Sequence, residues 1–267
     1  MIGREAIQIW HSKAPWVRWE HVEQDLVIAR AIVSIFADPF LSKELAWRGG
    51  TALHKLYLRP QSRYSEDIDL VRTNAGPIKP IIEHLDKALA WLPSRSFQQR
   101  RFGFRMRFKF ESEIAPIQQM HLKIEANTFE HFSELPLAHL PFMVDTPWFN
   151  GNCTVTTYAL EELLGTKLRA MYQRKKLRDL FDAEYALKNA DIDDALVLRC
   201  WRRYMSINGH VPPSSREFIK NMDSKMFMPE YNADIDSILR RDITFDAQSA
   251  YRLVRERLIE KIDAVAS

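Results

Sequence analysis

Arg48-Gly49-Gly50-Thr51-Ala52-Leu53-His54-Lys55-Leu56-Tyr57, followed shortly by Arg63-Tyr64-Ser65-Glu66-Asp67-Ile68-Asp69-Leu70, is the stretch on which the architecture turns. Leu45-Ala46-Trp47 leads into the glycine pair, and Thr51 to Leu58 reads helically until Pro60 forbids continuation. The pattern is strand, glycine turn, helix. Glu66 to Val71 then alternates charged with aliphatic residues, the period of a half-buried strand. On such a strand Asp67 and Asp69 point to one face while Ile68 anchors the other.

Two carboxylates that converge repel each other unless a cation sits between them. Oxygen ligands at this spacing suit Mg²⁺, which takes one or two carboxylates together with substrate phosphates. Taken by itself, Asp-x-Asp also fits a solvated strand edge. Gly49-Gly50 changes the weighting, because backbone N–H groups at a strand-to-helix turn without Cβ atoms can approach phosphates. Thr51 adds a hydroxyl at the helix start, either for that cradle or as a simple N-cap.

Together these two segments resemble the AbiEii/AbiGii toxin family of nucleotidyltransferases, within the polymerase-beta-like superfamily. A second stretch is similar to the same family: Glu162-Leu163-Leu164-Gly165-Thr166-Lys167-Leu168-Arg169-Ala170, then Arg174 and Arg178-Asp179-Leu180-Phe181-Asp182. The resemblance implies a third acidic residue on a later strand, and Glu125 in Leu122-Lys123-Ile124-Glu125-Ala126-Asn127 holds that position. An exposed glutamate paired with Lys123 or His121 is the other reading of Glu125. The resemblance further implies Asp67, Asp69 and Glu125 as metal ligands for Mg²⁺, or Mn²⁺ in its place, with Lys167 and Asp179 completing the catalytic set. Gly49, Gly50 and Thr51 would hold the nucleotide, with Arg48 and Lys55 as weaker candidates for phosphate contact or as solvated cations.

Independently of any family, Lys167 falls on the helical face of Leu160, Leu163, Leu164 and Met171, where an unpaired ammonium is costly. It needs an anion. Asp179 or Asp182 would supply one in a structural ion pair, and a triphosphate would supply one in catalysis. Asp179 also fits as the N-cap of a helix after a break at Lys175-Lys176-Leu177. Leu177 stands where the family pattern often has proline, which leaves the position of that break open.

Outward from these motifs, Val22 to Ala37 has helical apolar spacing and ends at Asp38-Pro39, and Pro80 to Leu92 fits another helix. Phe104 to Phe110 and Gln119 to Glu125 alternate as strands. Pro136 to Asn152 is rich in Pro, Asn and Gly and reads as a loop or linker. Helical patterning dominates beyond it, over Tyr158 to Arg174, Asp179 to Asn189, Asp193 to Met205, Ser214 to Met222 and Ala247 to Ala264. The expected fold class is α+β, a nucleotidyltransferase-like mixed sheet with flanking helices in residues 1–150 and a helical domain in residues 151–267 that contributes Lys167 and Asp179 to the site.

Composition bounds the function without naming it. With 46% hydrophobic and 27% charged residues over 267 positions, the chain has ordinary globular values and no segment poor enough in apolar residues to stay unfolded. Cys153 and Cys200 form no zinc pattern and no disulfide framework, which fits a reducing compartment. Neither a signal peptide nor a membrane-spanning run is evident, so the expected location is cytoplasmic. A net charge of +3 does not announce a nucleic-acid binder, so any such signal must be local.

Local clusters exist. Arg95, Arg100, Arg101, Arg105, Arg107 and Lys109 interleave with Phe97, Phe102, Phe104 and Phe108, and Arg169, Arg174, Lys175, Lys176 and Arg178 form a second basic run. Such surfaces can follow an RNA backbone and stack bases, although alternating phenylalanines also read as sheet core. The family resemblance implies a toxin of a toxin–antitoxin pair that moves NMP from an NTP to RNA, above all the tRNA 3′ end, and so blocks translation. Its partners would be a nucleoside triphosphate, RNA and a cognate antitoxin. Two rival readings are a nucleotidyltransferase acting on a small-molecule hydroxyl, and a catalytically silent binding protein on the same fold.

Overall fold

The computed structural model describes residues 2–228, 231 and 235–264. By contact density the chain falls into two compact units, one of residues up to Ser133 together with Leu137–Tyr158, the other of Glu134–Pro136 together with Ala159 onward.

The first unit opens with α1 (Arg4–His11), α2 (Trp19–Phe36) and the single turn α3 (Leu41–Glu44). β1 (Leu45–Arg48) then runs directly into α4, which is α-helical over Gly49–Ala52 and widens to π-helical over Leu53–Tyr57. β2 (Asp67–Arg72), α5 (Lys79–Ala88), β3 (Arg95–Arg100), β4 (Gly103–Glu111) and β5 (Gln119–Asn127) follow, and β6 (Ala138–Thr146) with β7 (Phe149–Thr157) completes the unit. The seven strands form one mixed sheet in the order β3-β4-β5-β2-β1-β7-β6.

The Pro/Asn/Gly-rich stretch 136–152 is therefore a hairpin and not a linker. Its register runs from Ala138 opposite Thr157 to Thr146 opposite Phe149, and Phe142, Val144 and Val155 supply buried side chains. Pro141 is tolerated because β6 lies at the sheet edge, where one row of N–H groups has no strand to pair with. The sequence shows turn-formers there, whereas the pairing that overrides them is long-range.

α2 is apolar nearly all round: Val22, Leu26, Ile28, Ala29, Ile32 and Ile35 are all closed off from solvent. It lies against β5, β6 and β7 and carries three polar residues into the interior. Glu23 accepts from the Glu113 backbone N–H at 2.9 and 3.0 Å, Gln24 donates to the His121 carbonyl at 2.8 Å, and Asp25 is held by ion pairing described below. Ile68, Leu70, Met106, Phe108, Leu122 and Ile124 form the apolar side of the central strands.

The second unit is helical: α6 (Leu160–Gln173), α7 (Leu177–Asn189), α8 (Asp194–Met205), α9 (Ser215–Met226) and α10 (Ala247–Arg257), followed by a 3₁₀ segment Ile259–Ala264. Asp193 caps α8 by accepting from Ala195 and Leu196 N–H, and Ser214 with Glu217 forms a reciprocal capping box on α9. α6 and α8 cross closely at Gly165, where a Cβ would stand 2.8 Å from both the Cys200 Cβ and the Trp201 backbone nitrogen. Buried Glu162 accepts from the Glu134 N–H (2.8 Å), the Leu135 N–H (2.9 Å) and the Tyr204 hydroxyl (2.8 Å), tying residues 134–136 to α6. Among the described residues no helix is long and apolar enough to cross a membrane.

Candidate functional site

β1 and β2 run antiparallel with Arg48 opposite Asp69, so the glycine turn that ends β1 lies beside the start of β2. Gly49 adopts φ +85°, a backbone conformation that a side chain strains. A Cβ on it would fall 2.3 Å from Asp69 Oδ2. Asp69 thus occupies the space that the missing side chain leaves, and turn and carboxylate are one local structure. Thr51 is buried, with its Oγ1 donating to the Asp67 carbonyl at 2.6 Å and lying 2.8 Å from Ser65 Oγ. Its hydroxyl therefore pins α4 to the entry of β2.

β2 and β5 are parallel with Asp67 opposite Lys123 and Asp69 opposite Glu125. Since side chains alternate, all four share the face opposite Ile68 and Ile124. Lys123 Nζ lies 2.7 Å from Asp67 Oδ2 and 3.7 Å from Glu125 Oε1. Arg105, opposite Glu125 on β4, donates through Nε to the same Glu125 oxygen at 2.6 Å. Asp69 and Glu125 are neighbours as the sequence reading expects, but the Glu125 carboxylate is drawn toward Arg105 and Lys123. Alternation of Leu122, Lys123, Ile124 and Glu125 already puts Lys123 on the polar face. Its pairing with Asp67 depends on a parallel register that the sequence does not display.

Two carboxylates on one face with phosphate oxygens for the remaining positions is a donor set that Mg²⁺ accepts. Asp67 and Asp69 fit that set. Glu125 stands opposite Asp69 on the same face, with its carboxylate paired to Arg105 and near Lys123, and among the described residues no three His, Cys, Asp or Glu side chains gather into a metal cluster.

The two cations offered as weaker phosphate contacts are both committed. Arg48 pairs through Nη1 with Glu130 Oε2 at 2.8 Å, and Asn127 braces the same oxygen at 3.1 Å. Lys55 is buried, with Nζ 2.6 Å from Asp25 Oδ1, which also accepts from Trp10 Nε1 at 2.8 Å. Burial pushes the Lys55 amine down, with Asp25 opposing. Lys55 is a correction to the sequence reading: it faces the interior because α4 turns that side toward α2, and it is the counter-ion of Asp25 and not a phosphate contact.

In the second unit, Lys167 on α6 is buried with its ammonium 2.8 Å from Asp182 Oδ2 and 3.3 Å from Asp179 Oδ1. Both aspartates expected as its anions are therefore its partners. Arg174 grips Asp179 bidentately, Nε to Oδ2 at 2.6 Å and Nη2 to Oδ1 at 2.7 Å. Burial would raise the Asp179 carboxyl, yet Lys167 and Arg174 together hold it below its ordinary value. Asp179 is not an N-cap, because α7 begins two residues earlier at Leu177, buried as its first apolar anchor, with Lys176 in the cap position. Lys225, which no motif singled out, donates to the Met171 and Tyr172 carbonyls at 2.5 and 2.7 Å.

Residues 30–258 match the family described as nucleotidyl transferase AbiEii toxin, type IV TA system. The chain belongs to the AbiEii family. It is a nucleotidyltransferase toxin of a type IV toxin–antitoxin system, which entails a nucleotide substrate and an antitoxin partner. The fold is similar to that of MenT4, a nucleotidyltransferase toxin from Mycobacterium tuberculosis H37Rv, with a TM-score of 0.66 and 16% identity over 98% of this chain and 90% of that one. Comparison with curated protein sequences gives no match.

Proposed function

We propose that this AbiEii protein transfers NMP from an NTP to a hydroxyl at the 3′ end of RNA, tRNA above all, in a metal-dependent reaction that blocks translation. The observation that carries this reading is the fit of Asp69 into the space of the absent Gly49 side chain, which joins the glycine turn to an acidic strand.

The acceptor hydroxyl oxygen forms a bond to the α-phosphorus and gives up its proton to solvent, while the bond to the leaving pyrophosphate breaks. Asp67 and Asp69 would hold a Mg²⁺ or Mn²⁺ ion, which would supply activation of the hydroxyl and neutralisation of the triphosphate. Backbone N–H groups of Gly49 and Gly50 orient phosphate at the start of α4. Thr51 keeps that turn in register with β2, so the nucleotide and the carboxylates hold one geometry. Lys123 balances the charge of Asp67. Lys167, kept in place by Asp179 and Asp182, is the cation that the family motif assigns to phosphate charge.

Purified protein incubated with each radiolabelled triphosphate, Mg²⁺ and total tRNA tests the reading. Label is expected in RNA, and Asp69→Ala is expected to lower transfer at least about 10²-fold with the fold unchanged by circular dichroism. Label only in small molecules, or full activity of the variant, would overturn it.

A further inference from the structure

We propose that the β3–β4 hairpin is the surface that grips the acceptor as a single strand, a proposal that rests on the transfer reading above and locates its second substrate. Residues 95–111 carry six cations against one carboxylate, Glu111, a balance of +5 in a chain whose total is +3. The rest of the molecule is therefore slightly acidic, and the positive field is concentrated here.

Position makes the charge useful. In register, Arg105 stands opposite Glu125 and Arg107 opposite Lys123, while Glu125 and Lys123 stand opposite Asp69 and Asp67. Arg105, Arg107 and Lys109 thus project from the same sheet face as the Asp67–Asp69 pair, two strands or about 10 Å away. Arg105 is engaged by Glu125 and Arg95 by Asp86, but Arg100, Arg101, Arg107 and Lys109 are exposed and have no carboxylate partner among the described residues. β3 is the sheet edge and all six of its residues are exposed, while β4 buries Phe104, Met106 and Phe108 on one face and leaves Arg107 and Lys109 exposed on the other.

At the hairpin tip the ring of Phe102 meets that of Phe129, which follows β5. Phe102 and Phe129 are 46% and 45% exposed with centroids 5.0 Å apart, and the Arg101 guanidinium lies 4.9 Å from the Phe102 centroid. Unpaired cations beside exposed π faces match a phosphate backbone with unstacked bases. A duplex hides its bases, and an acidic peptide would use the cations but leave the rings without a partner.

Fluorescence anisotropy of the full chain with a single-stranded oligoadenylate, a duplex of equal length and poly-glutamate tests the assignment. Arg101→Glu with Arg107→Glu is expected to weaken single-strand binding at least tenfold and lower the slope of log K against log salt by about two. Phe102→Ala is expected to weaken it about tenfold while leaving duplex binding unchanged. All three positions are exposed, and an unchanged urea midpoint verifies folding. Unaltered affinity and slope in these variants, preference for the duplex, or poly-glutamate binding in place of RNA would overturn the proposal. Asp69→Ala separates the two readings, because it should abolish transfer yet bind oligoadenylate as the wild type does. Hairpin-dependent binding by a wild type that transfers nothing to RNA would sink the transfer reading alone.

Discussion

At the scale of single residues, Gly49 is the tightest constraint on the site. Its positive φ and the 2.3 Å gap to Asp69 Oδ2 both forbid a side chain. Gly49→Ala is expected to cost about 1–2 kcal/mol of stability from backbone strain and, separately, to push Asp69 off its position. Transfer should fall far more than the urea midpoint implies, and a variant with near-normal turnover would remove Gly49 from the argument. The sequence made the glycine turn and the Asp67–Asp69 face readable because both depend on local geometry. It could not tell Lys55 from a phosphate ligand. A lysine on a short helix looks the same whether its partner is solvent, a nucleotide or an aspartate on a helix thirty residues away, as Asp25 is.

At the scale of elements, periodicity located α2, β2, β4, β5 and most of the second unit's helices within a few residues. It failed at β6 and β7, because Pro141 and Gly151 weaken local strand preference while pairing across the hairpin and onto β1 supplies what they lack. It also failed at β3, whose six exposed residues offer no alternation to detect. Helix crossings are likewise invisible until the partner is known. Gly165 sits inside a motif read for Lys167, yet its own role is to let α6 approach the α8 backbone. Gly165→Ala would drive a methyl into Cys200 and the Trp201 main chain, and a loss of about 1–3 kcal/mol is expected from overpacking. Chemical denaturation measures it. An unchanged midpoint would mean that the two helices separate at no cost.

For the whole molecule, stability depends on pH through every proton site that differs between the folded and unfolded chain. Lys225 is one such site: burial pushes its amine from 10.5 down to about 8, against the pull of Asp179. Between those two values the unfolded chain holds more protons, so this group's contribution rises with pH. It is complete above 10.5 and is lost as pH falls through about 8. The stability difference between wild type and Lys225→Met should therefore grow in favour of the wild type from pH 8 to pH 10. A difference that stays flat across that range would show that Lys225 keeps its proton in the fold. Net charge tells a similar story at this scale, because the small total of +3 conceals a hairpin at +5.

What the sequence determined by itself was the set of local relations: which residues form the glycine turn, which carboxylates share a strand face, and that Lys167 needed an anion. Those follow from backbone period and from the cost of burying an unpaired charge. Only the tertiary structure decided the rest, namely that Asp69 fills the space beside Gly49, that Lys123 and Arg105 claim Glu125, that Asp25 claims Lys55, and that residues 136–152 complete a sheet. Each of these joins residues distant in the chain, and strand register and helix packing set such distances through the burial of a shared core, which no short window of sequence contains.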